Sequence, residues 1–126
     1  MNDIKAVALA QEYIKAHHAD MEFSVENVCS AVGYSRRQLD RFFQKHMKIA
    51  LYECINAVVL SESAEKLLGT ENSVIDVAFD SHYQSQEGYT RAFVKRFSVT
   101  PKDYRKSQIA IPIFIQHPVN HYYILK

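Results

Sequence analysis

Two runs of polar and charged residues have the composition of surfaces that bind a polyanion. Within such a run, arginine can bond bidentately to guanine, glutamine can pair with adenine, and an acidic side chain can accept from the cytosine amino group. Serine and lysine more often contact phosphates. The first run contains Ser35, Arg36, Arg37, Gln38, Asp40, Arg41 and Lys45, and the second contains Ser85, Gln86, Glu87, Thr90, Arg91, Lys95 and Arg96.

The first run fits duplex DNA better than the second. Arg36, Arg37 and Arg41 are the main candidates for reading bases. Glu87 would repel phosphates unless it reads a cytosine, so the second run binds the backbone, binds selectively or stays outside the groove. A solvated helix face without a ligand is the alternative for both runs. We expect Arg37→Ala to flatten the preference between sites and replacement of Lys45 to weaken all sites similarly.

The charge is banded along the chain, although the total is only +1. Residues 1–23 carry −2, residues 24–52 carry +3, residues 53–80 carry −5 and residues 81–126 carry +5. Two basic blocks separated by an acidic block indicate two places where a polyanion could bind. Solvated helix faces can produce the same banding, so the charge alone favours nucleic acid only weakly.

Length and composition restrict the class of protein. A chain of 126 residues with 48% hydrophobic and 23% charged residues fits one compact domain, or two small helical units that share elements. Neither a membrane span nor a secretory signal is present, which predicts a cytoplasmic protein without a membrane partner. Cys29 and Cys54 belong to no ligand motif, and we expect both to be small buried residues.

Catalysis and cofactors have little support in the sequence. His117 and His121 have the i,i+4 spacing of a helical metal site, but Pro118 lies between them and makes a continuous helix improbable. Ser/His and Cys/His combinations lack a nucleophile motif, a glycine elbow or a phosphate loop around them. We therefore expect no metal, no cofactor and no enzymatic activity.

Helix signals dominate the first half of the chain. Apolar spacing predicts a first helix over about residues 3–17. Ser24 can cap a short second helix that ends at Gly33 in a left-handed conformation. Ser35 and Gln38 form a capping box that opens a third helix. Helix, tight turn and helix over about residues 24–46 is the helix-turn-helix pattern.

A second copy of this pattern follows a long helix. The linking helix is predicted over about residues 51–68, and a second helix-turn-helix over about 73–97. Residues 39–45 align with residues 89–95 at a shift of 50, and the upstream part aligns at a shift of 49. The second copy therefore has one additional residue near its turn. A final helix is predicted over about residues 101–108.

The linking helix has a length suited to duplex DNA. About 18 residues would extend over roughly 27 Å, a length that can separate two recognition helices by about one DNA turn of roughly 34 Å. One chain could then occupy two successive major grooves.

The residues of both repeats resemble the DNA-binding domain of AraC/XylS transcription regulators. The resemblance covers about residues 4–108 and is closest to the MarA/SoxS/Rob-like group. It implies an all-helical, two-lobed DNA-binding domain with recognition helices at residues 35–46 and 85–96. It also implies bacterial transcription control, often activation through contact with RNA polymerase. The segments that carry the resemblance are VENVCSAVGYSRRQLDRFFQKH, ESAEKLL and VIDVAFDSHYQSQEGYTRAFVKRFSVTPKDYR.

Departures from the family pattern limit what can be transferred. Uncharged residues occupy positions 56–59, where family members usually carry basic residues, so phosphate contacts are expected to be fewer there. His82 and Ser98 replace two common glycines, which makes left-handed turns more costly. Asp40 and Glu87 stand where neutral or basic residues are frequent. The operator sequence therefore cannot be inferred from the family.

Residues 109–126 form an apolar tail of a different character. Alternation over residues 109–116 and a second run at 121–125 predict two strands around a turn. The tail is similar to the opening strands of the domain that follows the DNA-binding domain in Rob-like regulators. It is either the start of a truncated effector domain, a segment packed on the helices, or a strand that pairs between subunits.

Together these patterns predict an all-α fold of about seven helices with a short β-hairpin tail. Residues 1–108 would form an AraC-type domain that binds double-stranded DNA as a monomer or weak dimer. The alternative is a protein-interaction module that contacts RNA polymerase or another regulator and binds DNA weakly or not at all. The acidic central block, the apolar start of the linking helix and the low net charge favour that alternative.

Overall fold

The computed structural model describes residues 2–119 and contains seven helices and no strand in that range. The prediction of an all-α fold with about seven helices is confirmed for these residues. The helices are α1 (Asn2–His17), α2 (Val25–Val32), α3 (Arg36–Met47), α4 (Leu51–Gly69), α5 (Val74–Asp80), α6 (Gln86–Phe97) and α7 (Pro101–Ser107). None of these helices is long and apolar enough to cross a membrane.

Hydroxyl side chains cap five of the helices at their N-termini. Each cap residue has an extended backbone, and its oxygen accepts a hydrogen bond from the backbone N–H three residues later. This contact satisfies one of the N–H groups that the first helical turn leaves without a partner. The caps are Ser24 for α2, Ser35 for α3, Ser73 for α5, Ser85 for α6 and Thr100 for α7.

Left-handed residues end several helices, and most of them are not glycine. Gly33 ends α2 with φ 87°, as predicted. Lys48 and Ser98 end α3 and α6 with φ 61° and 62°. His82 has φ 71° in the second helix-turn-helix turn. His82 and Ser98 both keep the left-handed conformation, which glycine would adopt at less cost, so both turns form without glycine.

The chain divides into two compact units, which share α4. Among the described residues, the first unit contains residues 2–56 and 115–119, and the second contains Ala57–Phe114. In the first unit, α1 and α3 contribute side chains that are fully buried. These are Val7, Ala10, Ile14, Leu39 and Phe43. Both cysteines are buried, as expected from the sequence.

The second unit has an aromatic core. Tyr89, Phe93, Phe97 and Tyr104 are buried together with apolar residues of α4 and α5. Phe93 lies 5.7 Å from Tyr89 and 4.7 Å from Phe97 between ring centroids, and both pairs meet edge to face. The Tyr89 hydroxyl donates a hydrogen bond of 2.8 Å to Ser63 Oγ inside this core. The core fixes the inner side of α6.

The predicted β-hairpin tail is wrong for the described residues. Residues 108–118 form no strand, and the second predicted strand at 121–125 lies outside the described residues. The Phe114 N–H donates to Ser61 Oγ at 2.9 Å, and the Ile113 N–H donates to the Ile111 carbonyl at 2.9 Å. Pro112 has no N–H to offer. The backbone hydrogen bonds that a neighbouring strand would make go instead to a helix side chain and a local turn.

A buried amide on α1 binds the end of the described tail. The Gln11 side chain is 5% exposed, and its Nε2 donates to the His117 carbonyl at 2.7 Å. Its Oε1 accepts from the Val119 N–H at 2.8 Å, and Val119 is fully buried. One side-chain amide therefore supplies both the donor and the acceptor that a backbone segment normally obtains from a neighbouring strand.

Candidate nucleic-acid interface

Helix α3 separates its apolar and polar residues onto different sides. Leu39 and Phe43 are fully buried, which fixes that side of the helix in the first compact unit. The polar side chains at the N-terminal end, including Arg36 and Arg37, are exposed. In a helix-turn-helix, the N-terminal residues of the second helix are those that reach base edges. The arrangement is therefore compatible with groove binding by α3.

Two of the predicted contact residues of α3 also build its N-terminus. Ser35 Oγ accepts from the Gln38 N–H at 3.2 Å, and Gln38 Oε1 accepts from the Ser35 N–H at 3.3 Å. This reciprocal pair is the predicted capping box. The side-chain oxygen of Gln38 therefore already accepts a hydrogen bond within the cap, and its side-chain NH₂ group remains available to a base.

Asp40 connects α3 to the start of α4. Its Oδ1 accepts from the Leu51 N–H at 3.1 Å, and its Oδ2 lies 3.9 Å from Arg36 Nε. The Arg36 guanidinium lies 5.9 Å from the centroid of the Tyr52 ring, within the range of a cation–π contact. Asp40 therefore has a capping contact inside the fold besides the base-reading role that the sequence predicts for it.

Arg37 and Arg41 differ from Arg36. Both side chains are exposed, and within residues 2–119 neither forms an ion pair. A guanidinium with unused donors is suited to a bidentate contact with guanine or phosphate. Of the three arginines predicted to read bases, Arg37 and Arg41 are thus the ones without a competing carboxylate in the described structure.

The C-terminal end of α3 contacts α1 through one carboxylate. Asp3 Oδ2 lies 3.1 Å from Lys45 Nζ and 2.9 Å from His46 Nε2. Hydrogen bonds from His46 and then Lys45 hold the pKa of the Asp3 carboxyl well below its ordinary value. Lys45, predicted to contact phosphate, therefore has an internal acidic partner.

Helix α6 offers a less basic surface. Gln86, Glu87 and Arg91 are exposed, and Thr90 is half-buried, while Tyr89 and Phe93 hold the opposite side in the core. Ser85 Oγ accepts from the Gly88 N–H at 3.0 Å and caps the helix. Glu87 is thus placed in the first turn, where α3 has Arg37.

The two cations at the end of α6 have different surroundings. Lys95 is exposed, and within residues 2–119 it forms no ion pair. Arg96 is only partly exposed, and its guanidinium lies 5.6 Å from the centroid of the Phe114 ring in the tail. Part of the Arg96 side chain is therefore covered by the tail, so less of it is accessible to a ligand.

The repeat seen in the sequence has a structural counterpart. Lys48 and Ser98 stand 50 positions apart and have nearly identical left-handed φ angles. Gly33 and His82 stand 49 positions apart and both have positive φ. The additional residue of the second copy is Gln84, because α6 begins four residues after His82, whereas α3 begins three after Gly33.

Sequence reasoning missed three residues next to the predicted interface. Asp3 contacts Lys45 and His46, Tyr52 lies beside Arg36, and Phe114 lies beside Arg96. No local pattern identifies them, because each contact joins residues at least 16 positions apart. Within α4, Ala57 and Val59 are buried, whereas Val58 is half-buried.

No metal centre is found in the described part of the chain, since residues 2–119 contain no group of three or more His, Cys, Asp or Glu able to hold an ion. His121, the second histidine of the improbable metal pair, lies outside the described residues.

Comparisons with known proteins place these features in a family. Residues 28–107 match the family described as "Helix-turn-helix domain". The transcriptional regulator Rob of Salmonella typhimurium is 40% identical over 90 residues, which are 71% of this chain and 31% of Rob. The multiple antibiotic resistance protein MarA of Escherichia coli is 32% identical over 99 residues, which are 79% of this chain and 78% of MarA.

A solved structure gives the same result for the fold. The C-terminal domain of AraT, a response regulator from Geobacillus stearothermophilus, superimposes with a TM-score of 0.75 at 25% identity. The match covers 89% of this chain and 93% of that domain.

Proposed function

The chain belongs to the AraC-type family of helix-turn-helix transcription regulators, and on this premise we propose that it binds specific sequences of double-stranded DNA and thereby controls transcription. Family membership supports DNA binding as such. The chain corresponds to only 31% of the length of Rob, so the activity of a whole regulator is part of the proposal. In this proposal, residues 1–108 are the DNA-binding domain and residues 109–126 begin an effector domain.

The exposed arginines of α3 support this proposal most directly. Arg37 and Arg41 have no acidic partner in residues 2–119, while Leu39 and Phe43 fix the inner side of the same helix. A rigid helix with uncommitted guanidinium groups can enter the major groove without first breaking internal contacts. Each good bidentate contact to a base would contribute about 1–3 kcal/mol of discrimination.

The contacts divide between positioning and reading. The cap serines of both recognition helices and Lys95 of α6 would bind phosphates and fix the register, since such contacts carry no sequence information. Arginines of α3 would supply most of the discrimination. Helix α6 would adjust this discrimination between sites, because the Glu87 carboxylate repels phosphates and can accept a hydrogen bond from a base such as cytosine.

Activation is the finer part of the proposal. We propose activation through a contact with RNA polymerase, made by a monomer or weak dimer in the cytoplasm, as the resemblance to the MarA/SoxS/Rob-like group implies. RNA polymerase would then be a second macromolecular partner besides DNA.

A protein-interaction module is the second candidate function. Helix α5 exposes two apolar residues, Ile75 at 42% and Phe79 at 52% of their surface. Asp76 and Asp80 are exposed beside them on the same helix. An exposed apolar pair with acidic neighbours favours a role in protein binding. A pull-down with purified RNA polymerase in the absence of DNA tests this candidate directly.

DNA binding is tested by fluorescence anisotropy with a mixed-sequence duplex at several salt concentrations. The slope of log K against log salt counts phosphate contacts at about 0.9 per phosphate, without knowledge of the operator. A steep negative slope supports DNA binding and justifies a site-selection experiment. Absence of binding even at low salt would overturn the proposal in favour of a protein partner.

Sequence reading is tested by Arg37→Ala in a competition assay with selected sites. We expect the variant to lose affinity for the preferred site and to rank sites less sharply. Lys15→Ala is the matched control, because Lys15 is exposed on α1, outside both recognition helices. Unchanged affinity and unchanged ranking for Arg37→Ala would contradict the base-reading role.

A further inference from the structure

Asp3 places a negative charge at the end of the first recognition helix. The residue lies in the first turn of α1, and its Oδ1 accepts from the Ile4 N–H at 3.0 Å. Its Oδ2 lies 3.1 Å from Lys45 Nζ and 2.9 Å from His46 Nε2. The Asp3 side chain is 18% exposed, whereas the Lys45 side chain is 62% exposed. The ion pair is therefore positioned next to solvent and open to a competing anion.

The carboxylate reduces the charge that Lys45 can offer to a phosphate. At about 3 Å, the two opposite charges largely cancel for a ligand that approaches from several ångströms away. A phosphate that binds Lys45 must either displace Asp3 or share the ammonium group with it. His46 holds the carboxylate from the buried side, since its own side chain is only 2% exposed.

The second recognition helix carries an equivalent lysine without such an ion pair in the described residues. Lys95 stands 50 positions after Lys45 at the equivalent place in α6, and within residues 2–119 it has no acidic partner. Among the described residues, the lysine is thus paired with a carboxylate only in the first helix-turn-helix. The carboxylate belongs to α1, the helix that precedes the first repeat.

We propose that Asp3 is an affinity-limiting residue: by pairing with Lys45 and His46 it withholds one phosphate contact from the recognition helix α3. This inference rests on the DNA binding proposed above. Helix α1 then acts on the DNA interface without touching DNA, since it determines whether the cation at the end of α3 is available. A phosphate of the duplex backbone and the Asp3 carboxylate compete for the same ammonium group.

The test is the anisotropy titration repeated with Asp3→Asn. The variant keeps the size of the side chain and removes its charge. We expect tighter binding to mixed-sequence duplex and a slope of log K against log salt that is steeper by about 0.9, the value of one phosphate. The gain in affinity should accordingly be about threefold larger at 50 mM than at 200 mM salt.

Three further variants separate this effect from general charge and from folding. Glu12→Gln removes one negative charge from an exposed position of α1 and should change the slope much less. Asp3→Ser keeps an acceptor for the Ile4 N–H and should behave like Asp3→Asn. Asp3→Asn should bring no gain when Lys45 is already alanine. Thermal unfolding of each variant, recorded in parallel, verifies that the proteins compared are folded.

The outcomes distinguish the two proposals. If the parent chain binds DNA and Asp3→Asn binds with the same affinity and slope, or changes no more than Glu12→Gln, the role of Asp3 is wrong and DNA binding stands. If the parent binds no DNA at any salt concentration, both proposals fail. Lys45→Ala in the parent decides the matter even where an Asp3 variant unfolds: loss of a full phosphate from the slope would overturn the inference, and little change supports it.

Discussion

The two recognition helices have the same kind of serine cap, but they carry opposite charges at the second position after that serine. Arg37 of α3 corresponds to Glu87 of α6, and both side chains are exposed in the first turn. On the inner side the equivalent pairs are Leu39 with Tyr89 and Phe43 with Phe93, all fully buried. The scaffold is thus repeated while the surface has diverged. One face of each helix determines folding, and the other is free to determine which ligand is bound.

The largest expected effect tests whether the two cores are equivalent. Phe43→Ala and Phe93→Ala each remove a fully buried ring, and each should lower the free energy of unfolding by about 3–5 kcal/mol. Urea unfolding followed by circular dichroism measures both losses. Val94→Ala, at an exposed position of α6, is the control and should cost about 0.5 kcal/mol or less. A small loss for either phenylalanine would show that its core contributes little.

The next effect compares the two surfaces at one matched position. Arg41 and Arg91 stand 50 positions apart, and both are exposed. Arg41→Ala should cost about 1–3 kcal/mol of binding free energy at the preferred site and change the ranking of sites. Arg91→Ala should weaken all sites by similar factors. If competition binding showed that Arg91→Ala reorders the sites as strongly, both helices would read sequence.

The turns and caps give the third comparison. Gly33 has φ 87°, and a Cβ added there would meet no atom within 4 Å, so Gly33→Ala tests the backbone conformation alone. We expect it to lower the free energy of unfolding by about 1–2 kcal/mol. Ser98→Gly, at the left-handed end of α6, should raise it by about 1 kcal/mol. Stabilisation by Gly33→Ala in the same urea assay would contradict this account.

The smallest effect concerns a hydrogen bond that exists in only one of the two cores. Tyr89→Phe removes the contact with Ser63, for which Leu39 in the first repeat has no equivalent, and should cost about 1 kcal/mol at neutral pH. Ser63 Oγ retains its bond to the Leu60 carbonyl at 2.6 Å, so it is not left unsatisfied.

Ionisation of Tyr89 should make the free energy of unfolding depend on pH. Burial raises the pKa of Tyr89 to about 12 from its ordinary value of 10.0. The folded state therefore holds this proton more tightly than the unfolded state, and the resulting stability is present below pH 10 and lost between pH 10 and 12. The difference in unfolding free energy between the parent and Tyr89→Phe should narrow from pH 8 to pH 11. An unchanged difference would contradict the assigned pKa shift.

Contacts between near neighbours in the chain were predictable from sequence. The Ser35 and Gln38 box and the Thr100 cap depend on residues three positions apart, and the structure confirms each of them. Their geometry follows from the helix itself, because the cap oxygen always reaches the same backbone N–H. For this reason the seven helices and most of their ends agree with the predicted ranges.

Contacts between distant segments were not predictable in this way. The Asp3 and His46 pair joins residues 43 positions apart, and nothing in either local sequence indicates the other. Asp40 was predicted to read a base, and its contact with the Leu51 N–H depends on how α3 meets the start of α4. The tail was misread because alternating apolar residues predict a strand only where a partner strand exists.

The amide of Gln11 has a consequence for the opening motions of the chain. Backbone hydrogens of segments outside the main helices usually exchange with solvent almost freely. The Val119 N–H, held by a buried side chain on the first helix, should instead exchange at a rate close to that of the core helices. Its exchange rate then reports how often α1 separates from the tail segment that Gln11 holds.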